Sequence, residues 1–317
     1  MKEYGGYIEL DTYRLPILHE GAKTLNCGRN CLAYLIKARN IKKILLPYYI
    51  CDSVIDLCKK GNVEISFYHI NMRVEPIDVS VEADQWLYVV NFYGQLTKDC
   101  LTKLKSSYDK MIVDNAQAYF DMPLESTDTI YTCRKFFGVS DGAFLYTDAQ
   151  LEEELPLDES FERMHFLLGR FERTASEFYG EYSANNHMFA SEPIKRMSKL
   201  TNNLLHAIDY NFVKNRRTEN FRLYHEKLKG INQLELREVE GAFAYPLLIE
   251  NGAEIRKKLQ QKKIYIPTLW PNVVNDMAEN SLEYRLAKDV LPLPVDQRYG
   301  ETDIIHIIME LQKCLKN

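Results

Sequence analysis

From about residue 26 to 147, short apolar runs alternate with amphipathic stretches. The stretch GRNCLAYLIKARN puts Leu32, Leu35 and Ile36 on one helical face, with Asn26 placed to cap it. KILLP follows as a short buried strand. Asp52 is placed to cap a second helix through Val54, Ile55, Leu57 and Cys58, which stops at Gly61. VEISFYHI and WLYVVN read as strands, TKDCLTKLKSS as a helix, and MIVD, IYTC and AFLYT as further strands. Strands separated by helices at this rhythm predict right-handed crossovers and a mainly parallel sheet flanked by helices.

The second half has another pattern. Phe161, Met164, Leu167, Leu168 and Phe171 recur near helical spacing and predict a helix over residues 158–180, with a loop at 181–193. A long helix is expected from about Asn202 to Lys229, ending at Gly230. GAFAYPLLI reads as a strand, 253–262 as a helix, KIYIP as a strand and the stretch from Thr302 as a final helix. The class is α/β: a large domain over 1–204 and a smaller C-terminal α+β domain over 205–317, divided inside the long helix. The opening stretch, with Gly5, Gly6 and Pro16, supports no assignment.

Composition narrows the function classes. Apolar residues form 46% of the chain, enough for a sizeable core. The 40 basic and 45 acidic side chains leave a net charge of −5 without a long single-sign run, so no nucleic-acid partner is expected. No apolar run approaches the ~20 residues of a membrane span. MKEYGGYIELD lacks the apolar stretch of a signal peptide, so a cytoplasmic location away from membranes is expected. The seven cysteines are odd in number and scattered, and are read as reduced, mostly buried thiols. Cys27 and Cys31 lie a helical turn apart, but no second Cys/His pair with zinc spacing accompanies them, so no metal site is expected.

Three features stand where strands end, and in open α/β sheets ligands bind beyond the carboxyl ends of strands. Asp114 closes the strand MIVD and opens DNAQA; its ordinary reading is a cap or turn residue. Lys135, in IYTCRKFFGVSDGAF, follows a strand among apolar neighbours that would desolvate its amine and favour attack on a carbonyl. Its ordinary reading is a solvated loop lysine. Thr132, three residues earlier, offers a hydroxyl to a phosphate or to a strand end. Gly28, Arg29 and Asn30 open a helix whose free N–H groups favour an anion, with Arg29 adding charge.

Together these make a specific set. Pyridoxal 5'-phosphate (PLP) needs an anion site, an acid for its ring nitrogen and a lysine for its aldehyde. The chain offers them in that order. At these residues it resembles the fold-type-I PLP enzymes, and most the DegT-type sugar aminotransferase family. GRNCL stands at the family's phosphate-binding helix start, VVNFYGQ resembles its VHLYG segment, DNAQA its acid strand end, and RKFFGVSDGA its lysine segment. LPYYICDSV resembles the segment whose aromatic residue packs on the cofactor ring. The resemblance covers about residues 20–147 well and the remainder loosely.

What the resemblance implies is a PLP-dependent transaminase. Lys135 would hold the cofactor as a Schiff base and shuttle a proton, and Asp114 would pair with the ring nitrogen. Gln117 would lie near the ring oxygen, Tyr49 near the ring, and Gly28, Arg29, Asn30 and Thr132 at the phosphate. Arg134 reads either as a further anion contact or as an outward salt bridge. The expected partners are an amino donor such as glutamate and a keto-sugar nucleotide, with a homodimer sharing the site. Alternatives are an aminotransferase for a small keto acid and an inactive homologue with a binding role.

The chain departs from the family at marked positions. Ile130 stands where a hydroxyl residue is usual five places before the lysine. Cys51 takes the place of the stacking aromatic. Ile194 replaces the asparagine that precedes an Arg-Met pair, present here as Arg196-Met197.

Overall fold

The computed structural model describes residues 4–316. The N-terminal reading thus begins on residues 1–3, which lie outside the described residues, as does 317 at the end of the small domain.

In chain order the elements of the first half are β1 (Lys23–Leu25), α1 (Gly28–Ala38), β2 (Lys43–Pro47), α2 (Asp52–Lys60), β3 (Glu64–Ile70), β4 (Pro76–Ile77), β5 (Trp86–Val90), α3 (Lys98–Ser107), β6 (Met111–Asp114), β7 (Asp128–Thr132) and β8 (Ala143–Tyr146). They form an eight-stranded sheet in the order β1-β8-β7-β6-β5-β2-β3-β4. The central strands β7, β6, β5, β2 and β3 run parallel, while β8, β1 and β4 pair antiparallel at the edges. Near-continuous burial of Leu45, Leu46, Leu87, Val89, Ile112 and Val113 fits strands covered on both faces. The order reverses between β5 and β2, which opens a crevice beyond the strand ends.

Two expected parallel strands, IYTC and AFLYT, are instead antiparallel neighbours: Thr132 pairs with Ala143. The loop 133–142, which carries Lys135, is therefore a tight return. Two caps shift by one residue: Cys27 and Cys51, not Asn26 and Asp52, occupy the N-cap positions of α1 and α2.

The second half contains α4 (His165–Glu172), α5 (Tyr179–Met188), α6 (Lys199–Leu205), α7 (Tyr210–Leu228), β9 (Ala244–Leu248), α8 (Gly252–Gln261), α9 (Pro271–Asp276), α10 (Leu282–Asp289), β10 (Val290–Pro294) and α11 (Glu301–Lys316). Strands β9 and β10 pair antiparallel and gather a second core with α7, α8 and α11, including Phe221, Leu247, Leu259, Leu291 and Leu311. The expected loop at 181–193 is largely the helix α5. KIYIP is not a strand; the partner of β9 is VLPLP, downstream of two short helices. The long helix breaks at 206–209, because Asp209 caps a new one by accepting from the Phe212 N–H. We propose the domain division at this break, next to the expected 204/205. The apolar positions of residues 158–180 do not all turn inward: Phe161, Leu168 and Phe171 are exposed.

Candidate active site

Adjacent parallel strands bring the acid and the lysine to one crevice. Asp114 ends β6 opposite Ile130 of β7, and Lys135 lies three residues past the end of β7. The Lys135 side chain is reachable by solvent, yet it lies deep in the crevice. Its Nζ stands 5.6 Å from the centre of the Phe243 ring. Protein packed around the amine withholds much of bulk hydration, and this holds the ammonium pKa below the ordinary lysine value. The nearby Asp114 and Cys51 oppose that shift, and Arg134 adds to it.

Both oxygens of Asp114 are engaged. Tyr88 Oη donates to Oδ2 at 2.8 Å, and the Ala116 N–H donates to Oδ1 at 2.8 Å. Tyr88 is buried on β5, and burial together with Asp114 pushes its phenol well above the ordinary tyrosine value, so it remains a donor. The signal for it was strand register. Tyr88 pairs with Ile112 and Val90 with Asp114, so Tyr88 and Asp114 share a face.

The segments NFYG and DNAQA are tied to each other. Asn91 Nδ2 donates to Asn115 Oδ1 at 3.2 Å, and the Tyr93 N–H donates to Gln117 Oε1 at 2.8 Å. That second bond holds Tyr93 in a left-handed conformation, φ 53°, which an L-residue adopts at a cost. Gln117 is buried at this junction.

At the head of α1, Gly28 abuts the end of β7: a Cβ there would meet Thr132 Cβ at 3.7 Å and Ile130 Cγ2 at 3.8 Å. The Thr132 hydroxyl forms no hydrogen bond among the described residues. Arg29 Nε and Nη1 are buried and form no hydrogen bond among the described residues. Arg134 forms no ion pair among the described residues and packs over Phe189, 4.7 Å from the ring centre, so the outward salt bridge is absent. Asn30 turns the other way. Its Nδ2 donates to Asn26 Oδ1 at 2.9 Å and to the Pro193 carbonyl at 2.8 Å, which leaves only its backbone facing the helix mouth.

Tyr49 is likewise turned from the crevice. It is buried against Trp270, with ring centres 4.3 Å apart, and its hydroxyl lies 3.4 Å from that of Tyr93. Tyr48 stacks on Phe67 at 5.0 Å. Cys51 is the residue of this segment that acts on Lys135. Trp270 also packs edge-on to Phe92, with ring centres 5.4 Å apart.

The lysine loop is held from the second half of the chain. Arg217 Nη2 and Gln297 Nε2 both donate to the Phe136 carbonyl, at 3.2 and 2.9 Å. Gly142 closes the loop at φ 109°, where a Cβ would lie 2.9 Å from Thr201 Cγ2. No local pattern announces Arg217 or Gln297, which reach the loop across 81 and 161 residues of sequence.

These residues fit PLP: a desolvated amine, an oriented carboxylate and unpaired cations at a helix N-terminus.

No family model and no curated protein matches the sequence. Solved structures do match the fold. A DegT DnrJ EryC1 StrS aminotransferase from Brucella abortus is 14% identical, with TM-score 0.64 over 93% of this chain and 86% of that one. The sugar aminotransferase CalS13 from Micromonospora echinospora is 14% identical, with TM-score 0.62 over 92% and 87%. The Bacillus subtilis protein NtdA with bound cofactor PMP is 14% identical, with TM-score 0.66 over 93% and 73%. The chain therefore has the fold of PLP fold type I. Within it, the fold is that of the DegT-type sugar aminotransferases.

Proposed function

We propose that the protein is a PLP-dependent aminotransferase that moves an amino group from glutamate to a keto-sugar nucleotide. The observation that carries this reading is Asp114 and Lys135 on successive parallel strand ends, with the Asp114 charge acting directly on the Lys135 amine. The names of structures with the same fold, sugar aminotransferases and a PMP-bound protein, support it.

When bound, PLP supplies an aldehyde that condenses with amines and a ring that delocalises the electrons of a Cα–H bond. Lys135 holds that aldehyde and, once released, moves a proton at the substrate Cα, a task its lowered pKa favours. Asp114, fixed by Tyr88 and Ala116, keeps a proton on the ring nitrogen. Gln117 would lie near the ring, Gly28, Arg29 and Thr132 would hold the phosphate, and Cys51 would take the place of a stacking aromatic residue. Exposed Leu168, Phe171, Tyr179 and Tyr182 on α4 and α5 support a homodimer. The seven unpaired thiols suit a reducing compartment such as the cytoplasm.

The test is direct. Protein incubated with PLP should turn yellow, and borohydride should fix the cofactor to Lys135 in the peptide map. In protein not treated with borohydride, glutamate should bleach the band, and a keto-sugar nucleotide should restore it. Restoration by small keto acids alone would replace the substrate class. A second reading, a homologue that binds without catalysing, draws support from the turned-away Tyr49 and Asn30; a band that no amino donor bleaches would establish it.

A further inference from the structure

The charges around the head of α1 do not balance. Arg163 lies 5.4 Å from the Phe189 ring centre and pairs with Asp158 at 2.7 Å. Lys195 pairs with Asp158 and with Glu192. The local carboxylates are thus committed. Among the described residues Arg29 and Arg134 form no ion pair. Both act on the Cys27 thiol, which places both near the N-cap of α1. Arg29 also acts on Arg134, which is desolvated besides. A cation withdrawn from water without a counter-charge is costly, and the N–H groups of α1 add partial positive charge at the same place. A cavity of about 280 Å³, lined by Arg29, Lys60, Phe189, Glu192 and Ile194, opens beside Arg29, and the Phe189 ring on its wall is the one Arg134 packs over. Among the neighbouring side chains Ile130 has no donor, the Asn30 amide is spent on carbonyls, and Thr132 offers a single hydroxyl.

We propose that Arg29 and Arg134 form a two-guanidinium receptor for the phosphate dianion of the cofactor, and that Arg134 sets the preference for phosphorylated over unphosphorylated pyridoxal. This rests on the reading of the protein as PLP-dependent. Guanidinium forks match phosphate oxygens bidentately and stay charged at every relevant pH. In this chain they stand in for the hydroxyl that Ile130 lacks.

The experiment titrates the full-length apoprotein with PLP and with pyridoxal, following the borohydride-sensitive band. It compares wild type with Arg134→Met, Arg134→Lys and Arg29→Met. Arg134→Met should weaken PLP about ten- to a hundred-fold and pyridoxal by no more than about three-fold. Arg134→Lys should recover part of the loss. Inorganic phosphate should compete with PLP in wild type and less in Arg134→Met. Pyridoxal binding by the same variant reports an intact fold and a reactive Lys135. Equal weakening of both aldehydes would overturn the proposal. So would unchanged PLP affinity with a raised KM for a phosphorylated substrate, which would assign the receptor to the substrate. Wild-type protein that takes up neither aldehyde would refute the aminotransferase reading itself, a result distinct from unaltered selectivity in a protein that binds both.

Discussion

Tyr88 Oη donates a hydrogen bond to Asp114 Oδ2 at 2.8 Å, and Tyr88 is almost fully buried where it does so. The bond crosses from β5 to β6 and joins a residue with no charge of its own to the residue proposed to face the cofactor nitrogen. It leaves the carboxylate one remaining orientation, because Oδ1 is already held by the Ala116 N–H.

Tyr88→Phe removes this donor while keeping the ring that fills the core. The carboxylate then turns more freely, and the proton on the ring nitrogen is less well held. Loss of one hydrogen bond to a charged group is worth about 1.5–3 kcal/mol. The half-reaction with the amino donor should slow by about ten-fold or more with KM little changed. Stopped-flow bleaching of the cofactor band measures both, and a wild-type rate would show that Tyr88 is only packing.

Burial lowers the Lys135 pKa, the Asp114 charge raises it and the Arg134 charge lowers it. The amine should therefore become nucleophilic at a pH below the ordinary lysine value of about 10.4. Asp114→Asn removes a raising charge, so the inflection should fall further. Arg134→Met removes a lowering charge, so it should rise. The pH dependence of Lys135 labelling by an amine-reactive probe, read by mass spectrometry, gives the order of the three inflections. Any other order would contradict the arrangement.

The parts of the site that lie close in sequence were legible, and those that converge from afar were not. Asp114, Lys135 and the head of α1, the proposed site, stand out because each ends or follows a strong apolar run, and the strand rhythm dictates where those ends point. The same rhythm could not tell that β7 and β8 are antiparallel, since a short buried strand has the same composition in either direction. Adjacent residues after a strand diverge: Tyr49 falls back onto Trp270, while Cys51 acts on Lys135. The direction of the Asn30 side chain was not legible, because a helix start presents backbone N–H groups to the mouth whichever way its side chains turn. KIYIP failed as a strand for want of a partner. VLPLP takes that place through its register with AYPLL, which is visible only in three dimensions.

Arg217 is buried and holds the Lys135 loop through the Phe136 carbonyl while also donating to the Ala242 carbonyl at 3.0 Å. Burial pulls its guanidinium down to about 10. Arg217→Met relieves a buried charge but frees two carbonyls, of which Phe136 keeps Gln297. The net cost should be about 1–3 kcal/mol, seen as a lower urea midpoint. The loosened loop should also slow trapping of an aldehyde by Lys135. A variant equally stable and equally reactive would show that Gln297 alone suffices.

His19 gives the fold a pH dependence separate from the site. It is buried, with Nε2–H donating to the Tyr119 carbonyl at 2.9 Å and its ring 4.0 Å from that of Tyr131. Burial lowers its pKa from 6.5 to about 4. The unfolded chain therefore takes up a proton as pH falls through 6.5, while the folded chain stays neutral until about 4. Stability from this residue is complete above pH 6.5 and is lost progressively between there and pH 4, by about 3 kcal/mol. His19→Gln retains a donor for the Tyr119 carbonyl but has no proton to gain. Urea midpoints at pH 7 and pH 4.5 should drop more steeply in wild type than in the variant, whatever the variant's absolute stability. Parallel slopes would mean that His19 is protonated in the folded protein.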